Sequence, residues 1–243
     1  MVSRILQYIH GAVNGRPPVA HSSPLIDNPP MILIGQFDSP FVRRVAIALT
    51  LYEMPYEHRP WSVFGQSEAV GAFNPLKRVP TLVLDDGEVL IESAAILDAL
   101  DHWVGPARAL IAADGAPRRH ALKVCALGAG LCDKAVSLIY ERALHETTSQ
   151  VWVDRCQGQI GAVLDILQAE RATRPGPWWF GERLTHADIM IGCALRFIGE
   201  AHGGLFDIDH WPTLAAHGAA CEALAPFQAV QQPFIYTPPP DTV

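Results

Sequence analysis

The stretch NPLKRVPTLVLDDGEVLIESAAI, residues 74–96, decides how the chain is read. Thr81 to Leu84 and Glu88 to Ile91 flank Asp85-Asp86-Gly87, a turn signal joining two antiparallel strands. Upstream, the loop from Asn74 to Arg78 leads through Val79-Pro80 directly into the first of these strands. About 5% of X-Pro bonds are cis, so a chain with 20 prolines is expected to hold one, and Pro80 is the candidate. A cis bond there would turn the Val79 N–H and C=O outward, available to an extended peptide ligand; the plainer alternative is a loop proline ahead of an edge strand. Downstream, Glu92-Ser93 opens a helix whose free amides and Ser hydroxyl can hold a carboxylate while Glu92 pairs an ammonium. Ordinary capping and dipole compensation account for the same two residues.

Working outward, Met31 to Gly35 reads as an apolar strand, and Val42, Val45, Ala46 and Leu49 follow the i, i+3, i+4, i+7 face of a helix. Ser39-Pro40 supplies a preferred N-cap and a proline suited to the first helical position. The Ser39 hydroxyl therefore sits among unpaired N–H groups at the positive helix end, a place that suits an anion or serves as a cap alone. Tyr56 to Arg59 is a short second strand, and Gly65 to Phe73 is weakly patterned. Val104 to Ala116 contains Gly105, Pro106 and Gly115 and marks a linker. Beyond it no strand pattern remains. Pro117 to His145, Thr148 to Arg171, Thr185 to Ala201 and Pro212 to Ala225 are helical, broken by Arg174-Pro-Gly-Pro and His202-Gly-Gly. The partition is thus an appended, poorly ordered extension (1–30), a small mixed α/β domain (31–103), the linker (104–116), an all-helical domain (117–230) and a Pro-rich tail (231–243). For residues 1–30 an upstream start or a weak targeting peptide also fits; a secretory signal would need a longer apolar run than Ile5 to Ile9.

With 243 residues, 49% of them hydrophobic, the chain can bury a substantial core and is not a disordered polymer. Eighteen Lys and Arg against 25 Asp and Glu leave a net charge of −7, without any basic run, which argues against nucleic-acid or anionic-membrane partners. The longest uncharged stretch, Ala223 to Pro240, carries five prolines and three glutamines and is unfit to span a bilayer. Cys125, Cys132, Cys156, Cys193 and Cys221 form no C-x-x-C pair, which points to reduced core thiols in a reducing compartment. No Cys/His spacing suits a metal, so none is expected.

Four passages in order resemble the glutathione transferase family: Ser39-Pro-Phe-Val-Arg-Arg-Val, Asn74-Pro-Leu-Lys-Arg-Val-Pro-Thr, Glu92-Ser-Ala-Ala-Ile and Phe180-Gly-Glu-Arg-Leu-Thr-His-Ala-Asp-Ile. The resemblance spans Met31 to about Phe227 and implies a thioredoxin-like α/β domain followed by an all-α domain. It implies that Ser39 activates glutathione, that Val79 before a cis Pro80 pairs with the tripeptide backbone, and that Glu92 and Ser93 hold the γ-glutamyl head. Lys77, Arg78 or Gln66 would meet the glycyl carboxylate. Ser stands where redox-type relatives have Cys, and Phe37 where tyrosine-type relatives have Tyr. The pattern is nearest the serine classes, tau and zeta, without the zeta-type Ser-Ser-Cys run.

A free thiol with a pKa of about 8.5 is only a few per cent thiolate at neutral pH. A hydroxyl donating to the sulfur anion, worth about 1.5 to 3 kcal/mol, would lower that pKa by roughly one to two units. The helix N-terminus adds to this, and Arg44 is either a contributor of positive field or a solvated or salt-bridged residue. The acceptor pocket is expected between the domains, at Phe41 and a helix carrying Cys132, Val136 and Tyr140. Thr185 to Asp188 reads as a capping box, and Trp178, Trp179 and Phe180 as core aromatics. The implied protein is a cytoplasmic, homodimeric detoxification enzyme that uses glutathione as co-substrate against a small-molecule electrophile. A non-catalytic binding protein of the same fold and a glutathione-dependent isomerase are the alternatives.

Overall fold

Ser39 and Pro40 start the helix around which both halves of the molecule pack. The computed structural model describes residues 31–235; the extension 1–30 and the tail beyond Ile235 lie outside the described residues. Ser39 is extended (φ −70°, ψ 122°) and caps α1 (Pro40–Leu51), with Pro40 in the first turn. The predicted apolar face Val42, Val45, Ala46 and Leu49 is fully buried. So are its neighbours Arg43 and Arg44, because α1 is sandwiched between a sheet and a second layer of helices.

The sheet holds β1 (Met31–Ile34), β2 (Tyr56–Arg59), β3 (Thr81–Val83) and β4 (Val89–Ile91) in the order β2-β1-β3-β4. β1 runs parallel to β2, pairing Met31 with Tyr56 and Ile34 with Arg59, and antiparallel to β3, pairing Leu33 with Leu82. β3 and β4 form the expected hairpin, with Gly87 at φ +89° in the turn. Between β2 and β3 the weakly patterned segment contains only a short helix, α2 (Ser67–Gly71). α3 (Ser93–Val104) follows β4.

The second layer comprises α4 (Gly115–Leu144), α5 (Gln150–Ala172), α6 (His186–Ala201), α7 (Pro212–Glu222) and α8 (Ala225–Gln228). Two features allow α6 to sit deep in this layer. Gly128 on α4 removes a side chain whose Cβ would lie 2.8 Å from Met190 Cγ and 3.0 Å from Ile191 Cδ1, so the helices approach closely. The capping box forms as expected: Asp188, fully buried, accepts from the Thr185 N–H at 2.8 Å and from the Trp179 N–H at 2.6 Å. Trp179 is fully buried and donates its indole N–H to Glu170, whereas Trp178 and Phe180 are half-buried at the rim of the core.

The two layers are joined by buried polar groups. Asp101 on α3 receives the Tyr52 hydroxyl, the Leu110 N–H at 3.0 Å and His186 Nε2 at 3.0 Å. Burial works against its ionisation, but these donors outweigh burial and hold its carboxyl below the usual range. Arg43 grips Glu222 with both terminal nitrogens and donates to the Phe227 carbonyl at 2.9 Å and the Val230 carbonyl at 3.1 Å. That fork draws the end of the helical layer onto α1.

Candidate active site

The cleft lies where the N-terminus of α1 faces α4 and α6, with a volume of about 990 Å³ counted out to open solvent. Its first wall comes from the sheet domain: Gln36, Asp38 and Ser39 from the loop after β1, Trp61, Ser62, Val63 and Phe64 after β2, and Lys77, Arg78 and Val79 before β3. Its second wall is apolar and comes from Phe41, Val136, Ile139, Tyr140 and Phe197, with Phe234 and Ile235. Asp133 stands on the same side.

Gly35 makes the first wall close. At φ +129° it turns the chain out of β1, and a Cβ there would fall 2.5 Å from Val42 Cγ2 and 2.9 Å from Val79 Cβ. The β1 end, the α1 start and the loop before β3 can therefore meet at one point. The Val79-Pro80 bond is cis, as predicted. Ser39 Oγ accepts from the Val42 N–H at 3.4 Å, a long contact that leaves the hydroxyl hydrogen free to donate into the cleft. The loop is braced from the other side by Phe37, whose ring stacks on His58 at 3.8 Å, while His58 Nε2 reaches the Gly35 carbonyl at 2.8 Å.

At the start of α3, Glu92 occupies the cap position with φ +65°, a conformation costly to a side chain of its size, and Ser93 is the first helical residue. Glu92 Oε1 lies 3.2 Å from Arg78 Nη1, with both side chains more than half exposed. Lys77, also at positive φ (+51°), pairs with Glu68. The two cations expected at the glycyl carboxylate thus line the cleft but already have acidic partners.

Several expectations need correction. Gln66 does not line the cleft; its amide oxygen accepts the Ser62 N–H at 2.8 Å and closes the turn before α2. Cys132, one turn before Val136 on α4, is fully buried in the helical core and does not line the cleft, so it is not part of the acceptor pocket. Pro80 follows the cleft-lining Val79, and Glu92, which precedes Ser93, pairs with the cleft-lining Arg78. Arg44 is neither solvated nor ion-paired; it is 4% exposed, its Nη1 lies 2.9 Å from Met190 Sδ, and its Nε has no partner among the described residues. Sequence reasoning missed Asp38, Trp61, Phe64, Phe197 and Phe234. Trp61 and Phe64 lie between the Tyr56 to Arg59 strand and the weakly patterned Gly65 to Phe73, where two aromatics so close together were the available sign.

The titratable groups are arranged so that the protein's own thiols are inert. Burial pushes Cys125 up to about 11 and Cys193 to about 12, and also raises Cys132, Cys156 and Cys221. In the cleft, burial raises Asp38 and Asp133 above the usual carboxylate range and raises Tyr140. Among the described residues no group of three or more His, Cys, Asp or Glu could hold a metal, and no helix is long and apolar enough to cross a membrane.

Comparison with known proteins agrees with this architecture. Sequence models of the glutathione S-transferase N-terminal and C-terminal domains match residues 33–107 and 150–218. The maleylacetoacetate isomerase of Pseudomonas aeruginosa is 30% identical over 199 residues, covering 74% of this chain and 89% of that protein. A glutathione S-transferase from Methylobacterium radiotolerans, solved with glutathione sulfonate, superposes with a TM-score of 0.80 at 28% identity, over 88% of this chain and 99% of the other. A glutathione transferase family member from Pseudomonas fluorescens Pf-5, solved with bound glutathione, gives 0.71 at 30% identity, over 84% and 100%. With a thioredoxin-like sheet domain, a helical layer and a cleft between them that opens on the capped start of α1, the chain belongs to the glutathione S-transferase family.

Proposed function

We propose that the cleft binds glutathione, stabilises its thiolate and directs it at an electrophilic small molecule held against the apolar wall. The observation that carries this reading is the position of Ser39: its hydroxyl, at the N-terminus of a 12-residue helix, faces a cavity with a polar wall on one side and an apolar wall on the other. Because burial raises the pKa of all five cysteines, Cys125, Cys132, Cys156, Cys193 and Cys221, none is poised as a thiolate at neutral pH, and the reactive thiolate comes from the ligand. Ser39 donates a hydrogen bond to that sulfur and does not attack, since a hydroxyl without an adjacent base is far too basic.

The Val79 backbone, exposed by the cis bond, pairs with the cysteinyl residue of the tripeptide. Ser93 receives the γ-glutamyl carboxylate at the α3 start, and Glu92 receives the ammonium. The ammonium displaces Arg78 from Glu92, which frees the guanidinium for a ligand carboxylate. An ion pair as exposed as Arg78–Glu92 contributes at most about 1 kcal/mol, so the exchange costs little. Conjugation to an electrophile in the cytoplasm, by a homodimer and in the service of detoxification, is the role this site fits. No metal takes part in the proposed chemistry.

Isomerisation is the second reading, favoured by the Pseudomonas aeruginosa relative. It uses the same thiolate, added to and then expelled from a double bond, and lacks the doubled Ser and Cys of the zeta-type run. Isothermal calorimetry with glutathione, followed by thiol-consumption assays against a panel of electrophiles, tests both. Thiol loss supports conjugation; substrate turnover with no net thiol loss supports isomerisation. Absence of glutathione binding sinks the proposal and leaves a binding protein of the same fold.

A further inference from the structure

Residues 229–235 belong to no helix or strand, and they extend past the last passage that resembles the family. They are nonetheless held at three points. The Val230 carbonyl accepts from Arg43 Nε at 3.1 Å, Gln232 Oε1 accepts the Phe37 N–H at 3.0 Å, and the Phe234 N–H donates to Glu200 Oε2 at 2.8 Å. The middle contact joins residues 195 positions apart and lands two residues before Ser39. The Phe234 ring stands edge-on to Phe197 at 5.7 Å, and Phe234 and Ile235 both face the cleft. Ile235 is 69% exposed, although it is a large apolar side chain lining a cavity.

An irregular segment normally presents polar groups to water. This one instead presents two apolar side chains to a cavity and fastens itself to the loop that carries the candidate thiol-activating residue. Asp38 and the cations Lys77 and Arg78, which have acidic partners, lie on the first wall, whereas among the described residues the second wall carries one charged lining side chain, the carboxylate of Asp133. A group carried on the glutathione sulfur would meet an apolar surface there, closed on one side by this segment.

We propose that residues 230–235 form the selectivity wall of the acceptor half, with Phe234 as its specificity-determining residue and an uncharged, extended apolar substituent as the group it selects. This rests on the glutathione reading above. Gln232 acts as a positioning residue: by holding the Phe37 N–H it sets the distance between the wall and the Ser39 loop. Phe234 contacts the substituent and has no part in holding the tripeptide.

The test is the affinity of glutathione, S-methylglutathione and S-hexylglutathione for the full chain, measured by calorimetry in the wild type and in Phe234→Ala, Phe234→Leu and Gln232→Ala. Burying part of the hexyl chain should make S-hexylglutathione bind at least about tenfold more tightly than S-methylglutathione in the wild type. Phe234→Ala should cut that ratio about fivefold while glutathione affinity stays within about twofold, and Phe234→Leu should recover most of it. Gln232→Ala should lower the ratio as well. Equal losses for all three ligands, or an unchanged ratio in Phe234→Ala, would overturn the wall while leaving the glutathione site standing. Failure of the wild type to bind any of the three would overturn the glutathione reading and this inference with it.

Discussion

The two walls of the cleft are built in different ways. The sheet-domain wall draws on short runs of chain, 36–39, 61–64 and 77–79, each attached to the end of a strand or the start of a helix. Its geometry follows from local rules: a cap, a positive-φ glycine and a cis proline, each of which acts within a few residues. The apolar wall draws single residues from α1, α4, α6 and the C-terminal segment, spread from Phe41 to Ile235. Nothing local places them; they meet because helices pack. A polar ligand with fixed atoms suits the first construction, and acceptors of varied shape suit the second.

This contrast can be broken from either side. The largest effect is expected at Arg43, whose guanidinium joins α1 to Glu222, Phe227 and Val230. Arg43→Ala leaves Glu222 with Arg196 alone and removes the buried donor to the Phe227 and Val230 carbonyls, so it should destabilise the fold by roughly 4 kcal/mol in chemical denaturation. Where the variant folds, the apolar wall should suffer and glutathione affinity should change less. Gly35→Ala attacks the other wall. Its Cβ has no room beside Val42 and Val79, and its φ is unsuited to alanine, so about 3 kcal/mol should be lost, this time with glutathione affinity falling more than the preference for apolar S-substituents.

A smaller effect sharpens the comparison through pH. His217, 3% exposed in the helical layer, accepts from Arg171 Nε at 3.2 Å on Nδ1, so it is neutral in the fold, and burial, aided by the Arg171 charge, holds it down to about 4. The unfolded chain binds a proton at the ordinary histidine pKa, near 6.5. The contribution of His217 to stability is therefore complete above that value and is lost as pH falls toward 4. At about pH 5 the loss should be about 2 kcal/mol. His217→Gln should show a correspondingly flatter decline between neutral pH and about pH 5 in denaturant titrations. An equal slope in both proteins would mean that the histidine is already protonated in the fold.

The difference between the walls also explains what could be read in the sequence. Ser39-Pro40, Val79-Pro80 and the Asp85-Asp86-Gly87 turn were legible because cap, proline and turn chemistry are short-range. The helical layer was legible as helices but not as a surface. Cys132 and Val136 lie one helical turn apart on the same side of α4, yet the first is buried in the core and the second lines the cleft; periodicity identifies a packed face without saying what covers each turn of it. Gln66 was misplaced because a five-residue helix, α2, carries too little pattern to orient it. The segment carrying Gln232 and Phe234 was read only as a Pro-rich tail, since its partners Phe37 and Phe197 lie far away in sequence.

The central claim is that Ser39 lowers the pKa of a thiol bound in this cleft. The thiolate absorbance of glutathione in complex with the wild type, Ser39→Ala and Ser39→Cys, titrated across about pH 6 to 9, measures it directly. In the wild type the bound thiol should ionise roughly one to two units below the free value of about 8.5. In Ser39→Ala it should return toward the free value, with slower conjugation at neutral pH and binding largely kept. Ser39→Cys should exchange conjugation for glutathione-dependent disulfide reduction, because a thiol at a helix N-terminus is itself a nucleophile. A thiol that ionises at the same pH in the wild type and in Ser39→Ala would contradict the account.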